Sequence, residues 1–357
     1  VGFKPKPPEG LPTLQTAAAR LKRKKGELSS MSTLVTGGAG YIGSHLVYDL
    51  IDAGREVVVL DNLSTGSRGL VSDASLFIEG NAGDVPLVLD LIAKQGIDTI
   101  VHFAGSIVVP DSVADPLAYY ANNTVVARNL IEAAVRGGVK NFIFSSTATV
   151  YAGESPDPLS ETLPTGPVSP YGRSKLMTEW MLEDCARAYD FRYVVLRYFN
   201  VAGADGKGRT GQSSPKATHL IKRASQVALG RLPHLDIFGT DFPTADGTGV
   251  RDYIHVSDLV RAHVLTLDYL RDGGNSTVMN CGYGHGASVR EVIASVERVT
   301  GRPLPVKESH RRAGDPPWLV ADARKIREVL GWQPQHDDLD EIVRTAHAWE
   351  CKLNSSN

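Results

Sequence analysis

From residue 32 onward the chain alternates two patterns of hydrophobic positions. Short runs rich in β-branched and aromatic residues occur at 32–36, 57–60, 99–103, 141–144 and 193–196. They show little of the apolar–polar alternation of a half-exposed strand, so they predict strands buried on both faces. Between them lie longer stretches with apolar residues every three or four positions, among them 41–53 and 122–136, which predict helices. Strand and helix in regular succession predict an α/β fold built on a doubly wound parallel sheet of Rossmann type.

Beyond about residue 200 the rhythm loosens. Residues 203–215 are rich in Gly, Ser and charge and predict a loop; helical patterns return at 217–229, 256–272 and 288–300. The expected organisation is a NAD-binding domain over 31–200 and a smaller C-terminal α/β substrate domain over 201–357, with an interleaved boundary. Residues 1–30 differ from both. They hold four prolines and the basic run Lys22-Arg23-Lys24-Lys25, and their charge is +5 against −7 for the rest. Met31 is read as the natural start, and the stretch before it as a non-native or disordered leader.

Composition removes several classes of function. The 357 residues are 42% hydrophobic and 22% charged, with a net charge of −2, which gives no electrostatic case for nucleic acid. No apolar run approaches the ~20 residues that span a bilayer. Three widely spaced cysteines, Cys185, Cys281 and Cys351, suggest neither a disulfide set nor a metal cage, and a cytoplasmic setting is expected.

Two motifs carry candidate chemistry. Gly37, Gly40 and Gly43 follow the first strand and open a helix at three-residue spacing. That pattern suits a tight turn, a backbone approach to pyrophosphate, and close helix–strand packing. Asp61 ends the second strand, where its carboxylate would accept from a ribose 2′-hydroxyl and repel a 2′-phosphate. The cofactor expected is therefore NAD rather than NADP; Arg68 is the one nearby argument for the phosphate form. Further on, Tyr171 and Lys175 stand four apart. On a helix they share a face, so an ammonium under the phenol is expected to lower its pKa from ~10 and make Tyr171 fit for proton transfer.

These residues resemble the extended short-chain dehydrogenase/reductase family and, more narrowly, the UDP-glucose 4-epimerases. The resemblance runs from Met31 to about Trp349. Its strings are TGGAGYIGSH (36–45), SSTATVY (145–151), YGRSK (171–175), RYFNVAGA (197–204), IFGTDFPTADGTGVRDYIHVS (237–257) and RRAGDP (311–316). It implies Tyr171 as proton acceptor and donor, Lys175 on the nicotinamide ribose, and Thr147 on the sugar O4. For the cofactor it adds Tyr41, Ile42, Asn62, Asp84 and Val85, then Phe103, Ala104 and Gly105, with Asn122, Ser145 and Tyr198. For the UDP-sugar substrate it implies Asn200, His219, Arg251, Arg312 and Asp315, with Phe238 on the uracil. Read from the residues alone, Arg251 could instead pair with Asp252 or Asp258, His219 could be a packed or solvated histidine, and Phe238 could be core.

Three positions depart from the family pattern. Ile107 stands where Lys is frequent, Ala152 where Gly is usual, and Leu319 where bulk bears on the sugar 2-position. The implied reaction is reversible inversion at C4 of a UDP-hexose through a 4-keto sugar, in a homodimer. UDP-N-acetylhexosamines and UDP-pentoses are alternative substrates. A dehydratase or decarboxylase would need an acid just after Thr147, where Ala148 and Thr149 stand. A non-catalytic NAD sensor would have no use for the Tyr–Lys pair.

Overall fold

A computed structural model describes residues 31–152, 157–214, 218–312 and 315–355. The expected leader at 1–30 lies outside the described residues. Seven parallel strands form one sheet in the order β3-β2-β1-β4-β5-β6-β11: β1 (Ser32–Thr36), β2 (Val57–Asp61), β3 (Leu76–Glu79), β4 (Ile97–His102), β5 (Asn141–Thr147), β6 (Arg192–Tyr198) and β11 (Thr277–Cys281).

The unbroken apolar runs have a direct cause. Leu34, Val58, Leu60, Ile100, Phe142 and Phe144 pack into one cluster, while Val35, Val59, Val101, Ile143 and Val194 pack into another. Alternate residues of one strand thus point into different cores. Each fully buried Val, Leu, Ile or Phe contributes about 1.5–3 kcal/mol of burial free energy. Helices α2 (Val85–Gln95) and α3 (Val126–Gly137) pack together, and so do α1 (Tyr41–Asp52) and α6 (Val256–Arg271).

Strand order reverses at β1, which pairs with β2 on one side and β4 on the other. Such a switch point opens a crevice at the strands' carboxyl ends. Thr36 and His102 are register partners there, so the loops after them lie side by side. Gly37 (φ 73°) makes that approach feasible, since a Cβ on it would lie 2.6 Å from the Ala104 nitrogen.

The chain beyond residue 200 does more than cover the sheet. It returns to supply the seventh strand, β11, which pairs with β6. The remaining strands form three small sheets. β7 (Asn200–Ala202) pairs with β10 (Tyr253–His255), and β8 (Leu235–Phe238) pairs with β13 (Val306–Ser309). β9 (Val250–Arg251) lies between β12 (Ala287–Ser288) and β14 (Trp318–Leu319). Helix α5 (Leu220–Ala228) follows β7.

Two helical details place site residues. α4 (Pro170–Ala188) has Pro170 in its first turn and Ser169 as N-cap, accepting from the Gly172 N–H at 3.1 Å. That start puts Tyr171 in the first turn, and Lys175 follows one turn later on the same face. The predicted helix at 122–136 is entered through a π-helical turn, Tyr120–Val125, before α3 begins. Such turns widen the helix and re-aim side chains at functional sites.

Candidate active site

The glycine turn has the features of an anion cradle. The N-cap of α1 is Gly40, no side chain caps it, and its first turn holds no acid. The first-turn N–H groups have no intrahelical acceptor and face outward with the positive end of the helix dipole. A Cβ on Gly40 would meet only the Gly37 oxygen, at 3.2 Å, so the approach from outside is open. A Cβ on Gly43 would lie 2.3 Å from the Gly37 oxygen, inside backbone that cannot yield. Gly43→Ala is therefore expected to destabilise the protein by about 1–3 kcal/mol and to empty it of NAD, measured by denaturant unfolding and by nucleotide content after purification.

Asp61 braces this turn from the end of β2. Its Oδ2 accepts from the Ala39 N–H at 2.9 Å and its Oδ1 from the Leu63 N–H at 2.8 Å. A carboxylate has about four acceptor positions, so capacity remains for sugar hydroxyls. Asn62 is exposed and accepts from the Ser64 N–H at 3.1 Å. Asp84 caps α2 through the Leu87 N–H at 3.1 Å, with Val85 next to it half-buried. Together these residues could hold a dinucleotide across the crevice.

Thr147 ends β5 and Tyr171 opens α4, and the Thr147 hydroxyl acts on the phenol to favour its ionised form. Lys175 is buried; its Nζ donates to the Ser145 carbonyl at 2.9 Å and lies 4.9 Å from the centre of the Phe144 ring. Burial pulls the ammonium down to about 8, against the opposing pull of Glu179. Burial pushes the Tyr171 phenol up to about 12, with the Thr147 hydroxyl acting the other way. The expectation that Lys175 lowers the Tyr171 pKa is corrected here. Its ammonium is drawn to the Ser145 carbonyl and the Phe144 ring, and desolvation outweighs the stabilisation of the phenolate.

Tyr198 ends β6 and is buried. Its hydroxyl bonds His263 on α6, whose ring also packs on Phe103 at 5.0 Å. His263 Nδ1 lies 2.9 Å from the Leu259 carbonyl, which can only accept. Burial holds the imidazole neutral, with its pKa lowered to about 4. Its proton therefore sits on Nδ1, and Nε2 accepts from the Tyr198 hydroxyl. Sequence reasoning missed His263, because its spacing on α6 matches any packed helix histidine.

A second missed residue is Asn123. Asn122 is exposed and donates to Ser106 Oγ at 2.9 Å. Asn123, turned inward by the π-helical turn, is 4% exposed. It accepts from the Ser106 N–H at 2.8 Å and donates to the Ser106 carbonyl and to Ser174 Oγ, both at 3.0 Å. It joins the loop after Gly105 to α4, one residue before Lys175. Nothing in the sequence separates the two adjacent asparagines; only the phase of the turn does.

The expected substrate residues fall into two groups. Asn200, on β7, and His219, the N-cap of α5, line one pocket with Tyr41, Gly203 and Tyr253. Phe238 ends β8 with the Arg312 guanidinium 3.8 Å from its ring centre, and Arg251 pairs with Asp315 at 3.6 Å. Arg251 does not pair with Asp252, whose buried carboxylate accepts from the N–H groups of Tyr283, Gly284 and Ala321. Leu319 on β14 is half-buried against a cluster that includes Ala148, Leu176 and Phe199, which ties this group to the catalytic strand and helix. Ile107 is exposed.

Residues 33–282 match the NAD dependent epimerase/dehydratase family. A relative from Azospirillum brasilense, described as UDP-glucose 4-epimerase, is 55% identical across 92% of this chain and 94% of its own. The Brucella ovis UDP-glucose 4-epimerase, solved in complex with NAD, superposes with a TM-score of 0.87 at 45% identity, over 89% of this chain and 98% of that one. A UDP-Glc/GlcNAc 4-epimerase from Campylobacter jejuni superposes at 0.80 with 47% identity, over 90% and 99%. Agreement over that length, with the glycine turn and the Tyr–Lys helix both in register with the sheet, means that the chain belongs to the NAD dependent epimerase/dehydratase family.

Proposed function

We propose that this protein is an NAD-dependent isomerase that interconverts UDP-glucose and UDP-galactose by inversion at C4. The observation that carries the reading is the placing of Tyr171 and Lys175 one turn apart on α4, with Lys175 held to the Ser145 carbonyl at the end of β5 two residues before Thr147. NAD held in the cradle supplies the oxidant and reductant for C4, and its oxidised ring adds a positive charge that favours a phenolate nearby. Tyr171 removes the O4 proton as C4 is oxidised and returns it when C4 is reduced. Thr147 holds that proton path in line. Arg251 and Arg312 suit a diphosphate, since each guanidinium presents a fork matching phosphate oxygens. A firm hold on the diphosphate and a loose one on the hexose let the 4-keto sugar turn its other face without leaving.

Ala148 and Thr149, which follow Thr147 in a single helical turn, offer no carboxylate for elimination, which disfavours the dehydratase reading. UDP-N-acetylhexosamine is a second substrate reading, supported by the moderate size of Leu319, which packs against the cluster of Ala148, Leu176 and Phe199. We also infer a cytoplasmic homodimer. Cys185, Cys281 and Cys351 are unpaired thiols, which suits a reducing compartment. Val113, Leu117 and Val125, in the helical segments before α3, are exposed apolar residues, as are Trp180 on α4 and Tyr189 at its C-terminal end. No helix among the described residues is long and apolar enough to cross a membrane.

The test is incubation of purified protein, without added NAD, with UDP-galactose and separately with UDP-N-acetylgalactosamine. Appearance of the C4 epimer is expected, from the hexose at least. A stable 4-keto-6-deoxy product would instead establish a dehydratase, and no conversion of either sugar would remove the epimerase reading.

A further inference from the structure

Glu179 lies one turn beyond Lys175 on α4 and is 5% exposed. Its carboxylate accepts from Ser146 Oγ on β5 and from Arg197 on β6, through Nε at 3.2 Å and Nη2 at 2.6 Å. Each of these partners adjoins a residue of the site in sequence. Ser146 lies between Ser145, whose carbonyl holds Lys175, and Thr147, whose hydroxyl acts on the Tyr171 phenol. Arg197 precedes Tyr198. The Arg197 guanidinium also lies 4.8 Å from the centre of the Tyr151 ring. Its buried Nη1 has no hydrogen-bond partner, so Glu179 is its counter-charge.

We propose that Glu179, through Ser146 and Arg197, is a positioning residue for the C4 chemistry, locking α4, and Lys175 with it, in register with β5 and β6. The inference rests on the epimerase reading above. A bare ion pair buried for stability would not need the third link to Ser146, the residue next to the Ser145 carbonyl that holds Lys175. Small displacements matter in such a constellation, because about 1 Å at a reacting group costs on the order of 10²-fold in rate. The charged and titratable groups that act on Lys175 are Glu179 on α4 and His102 on β4. His102 is kept neutral by burial, so Glu179 is the group that favours the ammonium.

The experiment compares wild type, Glu179→Gln and Ser146→Ala, each loaded with NAD, for kcat, KM and pH profile with UDP-galactose. Glu179→Gln is expected to lower kcat about 10²-fold with KM unchanged. It should also shift the limb on which activity falls with rising pH toward lower pH, because the ammonium loses its support. Ser146→Ala keeps the ion pair and cuts only the tie to β5, and should lower kcat about tenfold. Wild-type kcat in Ser146→Ala overturns the proposal whether or not Glu179→Gln folds. So does an unmoved pH limb in a folded Glu179→Gln. An inactive wild type would instead refute the epimerase reading and is told apart by that control.

Discussion

Tyr171→Phe is expected to lose nearly all turnover while remaining folded and loaded with NAD. The substitution removes one oxygen and keeps the ring, so the packing at the start of α4 is preserved. What disappears is the group that exchanges a proton with the substrate hydroxyl. General acid–base catalysis of this kind contributes about 10²–10⁴-fold, or about 3–5.5 kcal/mol of barrier. The loss should fall on kcat, with KM for the UDP-sugar nearly constant, since Arg251, Arg312 and Asp315 belong to a different part of the chain. Single-turnover formation of NADH on mixing with UDP-galactose is the direct measurement. If the variant reduced its cofactor at the wild-type rate, Thr147 or a water would be the true proton acceptor, and the role given to Tyr171 would be wrong.

Acid is expected to unfold the protein well before its carboxylates titrate fully. Burial lowers the pKa of four histidines: His45 and His263 to about 4, and His102 and His255 to about 3. His45 Nε2 has no hydrogen-bond partner, and a proton there would be buried without an acceptor. In the unfolded chain these groups titrate near ~6.5. Because their folded values are depressed, their contribution is fully present above that pH and is lost as the pH falls toward the folded values. Each unit of separation is worth about 1.4 kcal/mol, and total stabilities are only about 5–15 kcal/mol. Thermal midpoints measured from pH 8 to pH 4 should therefore fall steeply below pH 6.5, and His45→Phe should flatten the slope. A midpoint constant between pH 8 and pH 5 would mean that these imidazoles are not held neutral by the fold.

The five strands visible in the sequence were those buried on both faces, because only such strands give unbroken apolar runs. β3 and β11 were not. β3 is an edge strand with Leu76 and Glu79 exposed, and β11 carries Thr277 and Asn280 in the region where the pattern had loosened. The glycine turn and the Tyr171–Lys175 spacing were legible because their chemistry depends on local geometry. Lys175's true partners were not, since its reach to the Ser145 carbonyl depends on how far α4 stands from β5. Glu179 had a readable signal, eight residues after Tyr171 and four after Lys175, and so on the same face of α4. Only the fold shows that Ser146 and Arg197 meet it there.

The re-entry of the chain as β11 bears on how the protein emerges from the ribosome. β6 has no outer neighbour until Cys281 has been made, and the histidine that accepts from Tyr198 belongs to α6, the helix that precedes β11 in synthesis. The nascent first 200 residues thus carry an uncovered sheet edge beside an unfinished reaction centre. Cofactor capture is accordingly a late event in biogenesis, and a polypeptide cut at residue 200 is an incomplete half rather than a minimal dehydrogenase.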